Sequence, residues 1–398
     1  MINQSLKKMN SVTSVALFFL AAGIFTSVSI LSAYQILFTL SIIYFTYLAF
    51  KEKNFDLPKS AYWLLAFTVI ALISTFINID LIPKPSKNFG RFKYFIFGVG
   101  GIFVLRYWTQ TATDKTKKIL INTFFFAIMI AGLYVIYRYT NDVLITGKDR
   151  RGRPLTETMR YGYGTSMILL TILSSILQRE KLGKWFDVRL AIWAFIIGFT
   201  GMYLTYTRGA LLGFLSGLPF LFYLYRPKIG LAIGGVAIIG IALLGTIYLF
   251  GTGNYHSRLL MNKNNSSDVI RRSQWKAAII ATQEKPLLGW GLSNFHSQLK
   301  RIKNDYDLDA KDYNDAHSHN LFLEIASGTG LIGLFLFVGW VCSWAWEAFK
   351  AQGLTRALVI PFGVAFVISS QFEVTFDANN ASMIFFLYSL TSANLPKR

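Results

Sequence analysis

The chain has 398 residues, of which 53% are hydrophobic and 15% are charged, and its formal net charge is +20. A soluble protein carries about 25% charged residues, so this composition excludes a soluble globular protein. Apolar runs of roughly 17 to 22 residues recur along the chain, and this is the length that a helix needs to cross a bilayer. The sequence therefore predicts an all-α polytopic membrane protein.

The hydropathy pattern predicts about twelve transmembrane helices. The first apolar run is long and a second follows at once, so we expect a retained membrane helix rather than a cleaved signal peptide. Residues 1–250 would hold helices one to nine, residues 251–328 a large loop, and residues 329–398 helices ten to twelve. The predicted helices are 12–31, 34–50, 60–79, 94–108, 119–137, 161–178, 190–206, 210–225, 229–250, 329–347, 355–372 and 378–394.

The distribution of basic residues indicates the orientation of the chain. Both termini and every second connection carry lysine or arginine, which the positive-inside rule assigns to the cytoplasm. The large loop then faces the outer side, but two short outer connections are also rich in basic residues. An anionic partner on the outer face would explain this surplus, and contact with anionic lipid headgroups is the alternative. The residues concerned are Lys84, Lys87, Arg91 and Lys93 in one connection, and Lys148, Arg150, Arg151, Arg153 and Arg160 in the other.

The middle of the large loop has the pattern of a helix. Residues 266–268 form a capping cluster, and the helix would end before the turn-rich segment 286–291, which we expect to fold back onto the membrane surface. Arg271 and Arg272 lie in its first turns, with Trp275 one turn further on. Arginine is unfavourable at this partly positive helix end, but it suits a site where arginines and backbone N–H groups bind an anion together. A solvated basic face is the alternative.

Arg208 lies at the outer end of the seventh predicted helix, within the sequence TYTRGALLG. A charge beside hydrocarbon is costly and is usually functional or paired. Gly209 and Gly213 would allow another helix to approach closely at this point. The alternative is an arginine that extends to the lipid headgroups without a further role.

The large loop holds every histidine of the chain, and His319 lies where this loop meets an apolar run. An unperturbed histidine titrates at about pH 6.5, so it can accept a proton at neutral pH. At the membrane boundary, His319 could deprotonate a hydroxyl group of a lipid-borne substrate. A structural interface histidine is the alternative, and it is the expected role of His317. The histidines are His256, His296, His317 and His319.

Two segments resemble metal sites, but neither is complete. Residues 305–316 begin like a calcium loop, yet they have alanine where such a loop needs its glycine and its glutamate. Their DxD pattern is also found in metal-dependent sugar transferases, but a nucleotide sugar is not expected on the outer face. His317 and His319 with Asp315 could ligate zinc, but no second cluster completes the set. We therefore expect neither a metal nor another cofactor.

The loop motifs together resemble a known family. The pattern HN, nine residues, then G-x-x-G is similar to the signature of O-antigen ligases and related polymerases. TRGALLG around Arg208 resembles the arginine motif of this family, and R-x-x-x-W followed by PLLGWG resembles its loop helix. The residues of these motifs are His319, Asn320, Gly330 and Gly333 in the first, and Arg271 and Trp275 in the last.

The resemblance implies a GT-C-like membrane glycosyltransferase at the periplasmic face of the bacterial inner membrane. Such ligases transfer O-polysaccharide from undecaprenyl diphosphate to lipid A–core, here without a metal and with inversion. The arginines of the family would correspond to Arg208 and Arg271, and its histidine to the general base His319. Because Arg272 doubles the charge, either Arg271 or Arg272 could contact the phosphate.

Three interpretations remain open. In an O-antigen polymerase of the same superfamily, the acceptor would be a second lipid-linked glycan instead of lipid A–core. A transporter of anionic lipid-linked glycans is the interpretation from another class, but the predicted helices hold almost no charged residue to form a pathway.

In the ligase, Arg272, Asn320 and Trp275 would help to bind the substrates. Membrane lipids are expected partners, and nucleic acid is not.

Overall fold

A computed structural model describes residues 2–147, 151–225, 266–308, 317–351 and 353–395, and these parts of the chain are helical without a strand. The helices are α1 (Ile2–Gly23), α2 (Val28–Lys51), α3 (Lys59–Ile77), α4 (Phe92–Thr111), α5 (Asp114–Arg138), α6 (Thr158–Leu177), α7 (Val188–Leu204), α8 (Arg208–Tyr225), α9 (Ser266–Glu284), α10 (Phe295–Asp305), α11 (Leu321–Lys350), α12 (Leu354–Ser369) and α13 (Ala378–Ala393). Shorter helical turns lie at Ile79–Leu81, Pro85–Phe89, Arg179–Leu182 and Gly183–Trp185, and the π-helical turn Tyr139–Ile145 extends α5.

The prediction of an all-helical polytopic membrane protein is confirmed. Every predicted span except the ninth overlaps one of these helices. The ninth span, 229–250, lies outside the described residues, as do His256, Lys148, Arg150, Asp309 and Asp315. Five helices of the described parts are long and apolar enough to cross a bilayer: Val28–Lys51, Lys59–Ile77, Asp114–Ile145, Arg208–Tyr225 and Leu321–Lys350.

The boundary between the first two predicted spans is wrong. Helix α1 ends at Gly23, and Ser27 begins α2 by accepting a hydrogen bond from the N–H of Ser29. The turn between them contains Ile24 and Phe25, which are both buried. Because this turn is as apolar as the helices beside it, the hydropathy pattern cannot locate it.

Helix α11 begins eight residues earlier than the tenth predicted span. Asn320 caps it, since its side-chain oxygen accepts hydrogen bonds from the N–H groups of Phe322 (2.9 Å) and Leu323 (3.1 Å). At Gly330 the helix is interrupted by a backbone conformation with φ 69° and ψ −176°. Glycine is the residue that adopts this conformation readily. The glycines therefore mark a break inside a helix, not the end of a loop.

The segment 286–291 fills this break with its own backbone. The segment was predicted to fold back, and the structure places it against the interrupted part of α11. A break in a membrane helix exposes polar backbone groups that need partners, and the segment provides them. Its backbone hydrogen bonds join Trp290 N to Ser327 O (2.9 Å), Gly291 N to Gly328 O (2.8 Å), and Leu331 N to Pro286 O (2.7 Å).

The backbones of segment 286–291 and α11 approach each other too closely to leave room for a side chain on either one. A Cβ atom added at Gly330 would collide with the carbonyl oxygen of Leu287, and one added at Gly289 would lie 2.6 Å from the carbonyl carbon of Gly328. Helix α3 also contacts this junction, because the hydroxyl of Ser74 donates a hydrogen bond to Gly328 O at 2.8 Å. The large-loop helix α9 is thereby attached to the bundle.

Helix α8 packs closely on α12 through Gly213 and Gly217, which lie one turn apart. A Cβ atom at Gly213 would collide with the hydroxyl of Ser369, and one at Gly217 would lie 2.8 Å from Pro361 O. This confirms the predicted close approach at Gly213. The contact places the first residue of α8, Arg208, beside the C-terminal end of α12.

We expect Gly330→Ala to destabilise the protein, because alanine must adopt the strained conformation and also displace the backbone of Leu287. The strain alone costs about 1–3 kcal/mol. Thermal unfolding in detergent should show a lower midpoint than wild type. The control is Gly363→Ala in α12, where an added Cβ meets no atom within 4 Å. Equal midpoints for the two variants would contradict this account of the break.

Candidate active site

His319 lies at one end of the bundle, directly before α11. Its backbone has φ 50°, which is uncommon for a residue other than glycine. Hydrogen bonds on both sides hold this conformation: the N–H of Ser318 donates to Glu324 Oε2 at 3.0 Å, and the hydroxyl of Ser318 donates to Asn320 O at 2.7 Å. The start of α11 therefore fixes the position of His319.

Glu373 connects this histidine to the turn between α12 and α13. Its Oε2 lies 3.0 Å from His319 Nδ1, and its Oε1 lies 3.3 Å from His317 Nε2. The side chain of Glu373 is 8% exposed, compared with 15% for His319 and 35% for His317. The two imidazole rings meet edge to face, with their centroids 4.4 Å apart. One buried carboxylate thus holds both histidines.

The charge of Glu373 depends on these contacts. Burial by itself raises the pKa of a carboxyl group, but the hydrogen bond with His319, the charges of both histidines and the N–H of Val374 outweigh it. The pKa of Glu373 is therefore lowered, and the group is a carboxylate at neutral pH. A carboxylate beside Nδ1 favours the tautomer of His319 with its proton on Nδ1 and its lone pair on Nε2.

Tyr163 of α6 links this pair to the predicted arginines. The charges of Glu373, Arg271 and Arg208 all act on its buried hydroxyl. A Cβ atom at Gly209 would collide with this hydroxyl and would lie 2.9 Å from the Cβ of Phe372. The start of α8 therefore packs against Tyr163 and against Phe372, the residue before Glu373. The structure brings Arg208, Arg271 and His319 to the same end of the bundle.

The remaining predicted site residues lie around this centre. Arg272 is exposed, whereas Arg271 is half-buried. Trp275 is also half-buried, and its indole N–H has no hydrogen-bond partner. Asn320 has its amide oxygen occupied by the cap of α11, and its NH₂ group lies 3.3 Å from the backbone oxygen of Gln371. A role of Asn320 in binding substrate stays a prediction.

Sequence reasoning missed Glu373 and Tyr163, and it underrated His317. Glu373 is 54 residues from His319 along the chain, and no local pattern connects them. The one available signal was an acidic residue in a short connection between two apolar runs. His317 was expected to be a bystander, but it contacts the same carboxylate as His319.

His317, His319 and Glu373 are also the group of described residues that can hold a metal ion. One atom from each lies within 4.8 Å of the others, and two imidazoles with a carboxylate are a donor set that zinc accepts. Glu373 takes the place that the sequence suggested for Asp315. As they stand, Glu373 forms a hydrogen bond with His319 and lies within ion-pair distance of His317. In the other suspected metal segment, Asp305 pairs with Arg301 at 3.2 Å.

These features define a class: an all-helical polytopic membrane protein with a histidine, a buried carboxylate and arginines gathered at one end. Residues 193–338 match the family model described as O-antigen ligase. This stretch of the chain is thus similar to the O-antigen ligase and polymerase superfamily, and the resemblance of the motifs is confirmed. Members of this superfamily are glycosyltransferase-like enzymes of O-antigen pathways. No curated protein matches the chain. Tyr163 and Glu373 lie outside the matched stretch.

We expect Glu373→Gln to lower the free energy of unfolding at pH 7 by about 2 kcal/mol, the usual value for a hydrogen bond to a charged group. Because the pKa of Glu373 is lowered in the folded state, its contribution is complete above the ordinary value of 4.5 and is lost as the pH falls below it. Denaturation at several pH values should therefore show a difference that shrinks in acid.

The control is Glu157→Gln, which removes an exposed carboxylate that is paired with Arg160. Such a surface pair contributes about 0–1 kcal/mol, so this variant should unfold like wild type. A deficit of Glu373→Gln that stays constant from neutral to acidic pH would contradict the role of the Glu373 charge.

Proposed function

We propose that the protein is a GT-C-like O-antigen ligase at the periplasmic face of the bacterial inner membrane. It transfers O-polysaccharide from undecaprenyl diphosphate to lipid A–core, without a metal and with inversion. The observation that carries this proposal is the meeting of the His319–Glu373 pair with Arg208 and Arg271 around Tyr163. A base beside a cationic site is what transfer from a lipid diphosphate requires.

The arginines act on the leaving group. As the bond between C1 of the donor sugar and the diphosphate oxygen breaks, negative charge develops on the diphosphate. Arg208 is the first residue of α8, so the N–H groups of this helix end add to its positive field. By analogy with single donors in other enzymes, each arginine would stabilise the transition state by about 3 kcal/mol.

His319 activates the acceptor. Its Nε2 takes the proton of the acceptor hydroxyl while the acceptor oxygen forms the new bond to C1, a step that typically contributes roughly 10²–10⁴-fold. Glu373 stabilises the imidazolium that results and keeps the ring in one orientation. In a comparable histidine–carboxylate pair, loss of the carboxylate lowers kcat by about 10⁴. A single displacement of this kind inverts the configuration at C1.

Basic residues of the two outer connections support a phosphorylated acceptor. The charges of Asp377, Arg91 and Arg160 all act on the hydroxyl of Tyr94, so basic residues from two separate outer connections converge there. An acceptor that carries several lipid A and core phosphates fits these basic connections better than a second lipid-linked glycan with a single diphosphate, which favours a ligase over a polymerase.

The test is attachment of O-polysaccharide in a strain that lacks its own ligase. We expect the wild-type gene to restore attachment, His319→Ala to reduce its rate by roughly 10²–10⁴, and Glu373→Gln to reduce it by up to about 10⁴. The control His296→Ala removes an exposed histidine of the same loop and should behave as wild type.

Wild-type attachment by His319→Ala would refute the assignment of the general base. If the wild-type gene restores chain length without attachment to core, the protein is a polymerase instead. In the same assay, Arg271→Ala should lose more activity than Arg272→Ala, because Arg271 is the half-buried member of the pair.

A further inference from the structure

A cleft of about 660 Å³ opens at the other end of the bundle. It lies where α3 begins and where α4, α11 and α13 end. At this end Ser60 contacts Glu347, whereas the opposite end of the same two helices joins Ser74 to Gly328. The part of α11 from Gly330 to Lys350 rises about 30 Å. The cleft is therefore separated from His319 by the thickness of a bilayer, and the predicted topology places it on the cytoplasmic side.

Cationic side chains line this cleft. Lys59, Arg106 and Lys350 come from three separate helices. Arg106 donates from Nη2 to Asp56 O at 2.7 Å, but its Nη1 is buried and has no hydrogen-bond partner. A buried donor without an acceptor costs about 1–3 kcal/mol. A movement of the Arg106 side chain toward a bound anion would give this donor an oxygen acceptor and remove this cost.

The buried acid of the cleft is already engaged. Glu347 accepts hydrogen bonds from the N–H of Ser60 at 3.0 Å and from its hydroxyl at 2.5 Å. The same hydroxyl lies 3.1 Å from that of Tyr388. Glu347 therefore caps the start of α3 and connects α3, α11 and α13, which form one wall of the cleft. Its hydrogen bonds are directed at this wall and not at Arg106.

We propose that this cleft binds the phosphate group of a membrane phospholipid. A guanidinium presents two parallel donors to phosphate, and lysines on either side add charge. The volume falls in the range of small-molecule sites, about 300–1,000 Å³, so it accepts a headgroup and not only a phosphate ion. Leu57 and Pro58 line the cleft too, and they offer an apolar surface to the glycerol and the first acyl carbons.

The proposal is tested with the purified full-length protein in detergent and dioctanoyl phosphatidylglycerol as the probe. Arg106→Gln should weaken binding about tenfold, which corresponds to about 1.4 kcal/mol. The matched control Arg179→Gln removes the same charge from an exposed position outside the cleft, and its affinity should stay within about twofold of wild type. Lys350→Gln is the second variant in case Arg106→Gln does not fold, and it should also weaken binding.

Two further probes separate the possible sources of the phosphate. Dioctanoylglycerol, which has no phosphate, should not compete, and inorganic phosphate should compete only weakly. Equal affinities of the cleft variants and Arg179→Gln would overturn the site. Displacement of the lipid by inorganic phosphate at equal concentration would overturn its assignment to a phospholipid.

Discussion

The backbone contact between residues 286–291 and the interrupted start of α11 is the constraint on which the site depends. A membrane helix that breaks at Gly330 leaves polar groups without partners, and in hydrocarbon each such group costs several kcal/mol. The neighbouring segment supplies these partners and follows directly after α9, which carries Arg271. His319 precedes α11 at the other side of the same junction. One contact therefore sets the positions of both His319 and Arg271.

The second constraint on the site is the burial of its acidic side chains. A lone carboxylate as deeply buried as Glu373 would be strongly unfavourable, but two imidazoles and a backbone N–H stabilise its charged form. Asp377, four residues further on, is buried with weaker compensation, and burial raises its pKa to about 6. The same short connection thus keeps one acid ionised beside His319 and moves the pKa of another closer to neutral pH.

The elements that the sequence predicted well are those governed by local pattern. Long apolar runs predicted the membrane helices, and a capping cluster followed by Pro286 predicted α9, which spans Ser266–Glu284 and so includes the predicted cap residues. The turn after Gly23 and the early start of α11 were missed because an apolar turn and a buried helical turn look alike in hydropathy. Glu373 and Tyr163 were missed because only tertiary packing brings them to His319 and Arg208.

The proposed mechanism requires that one lipid diphosphate lies between the arginines and faces the histidine. A structure of the protein with an undecaprenyl diphosphate-linked sugar bound tests this most directly. The account predicts diphosphate oxygens in contact with Arg208 and Arg271, and C1 of the sugar turned toward the side of His319 that carries Nε2. A diphosphate bound away from both arginines, or a sugar separated from His319 by protein, would contradict it.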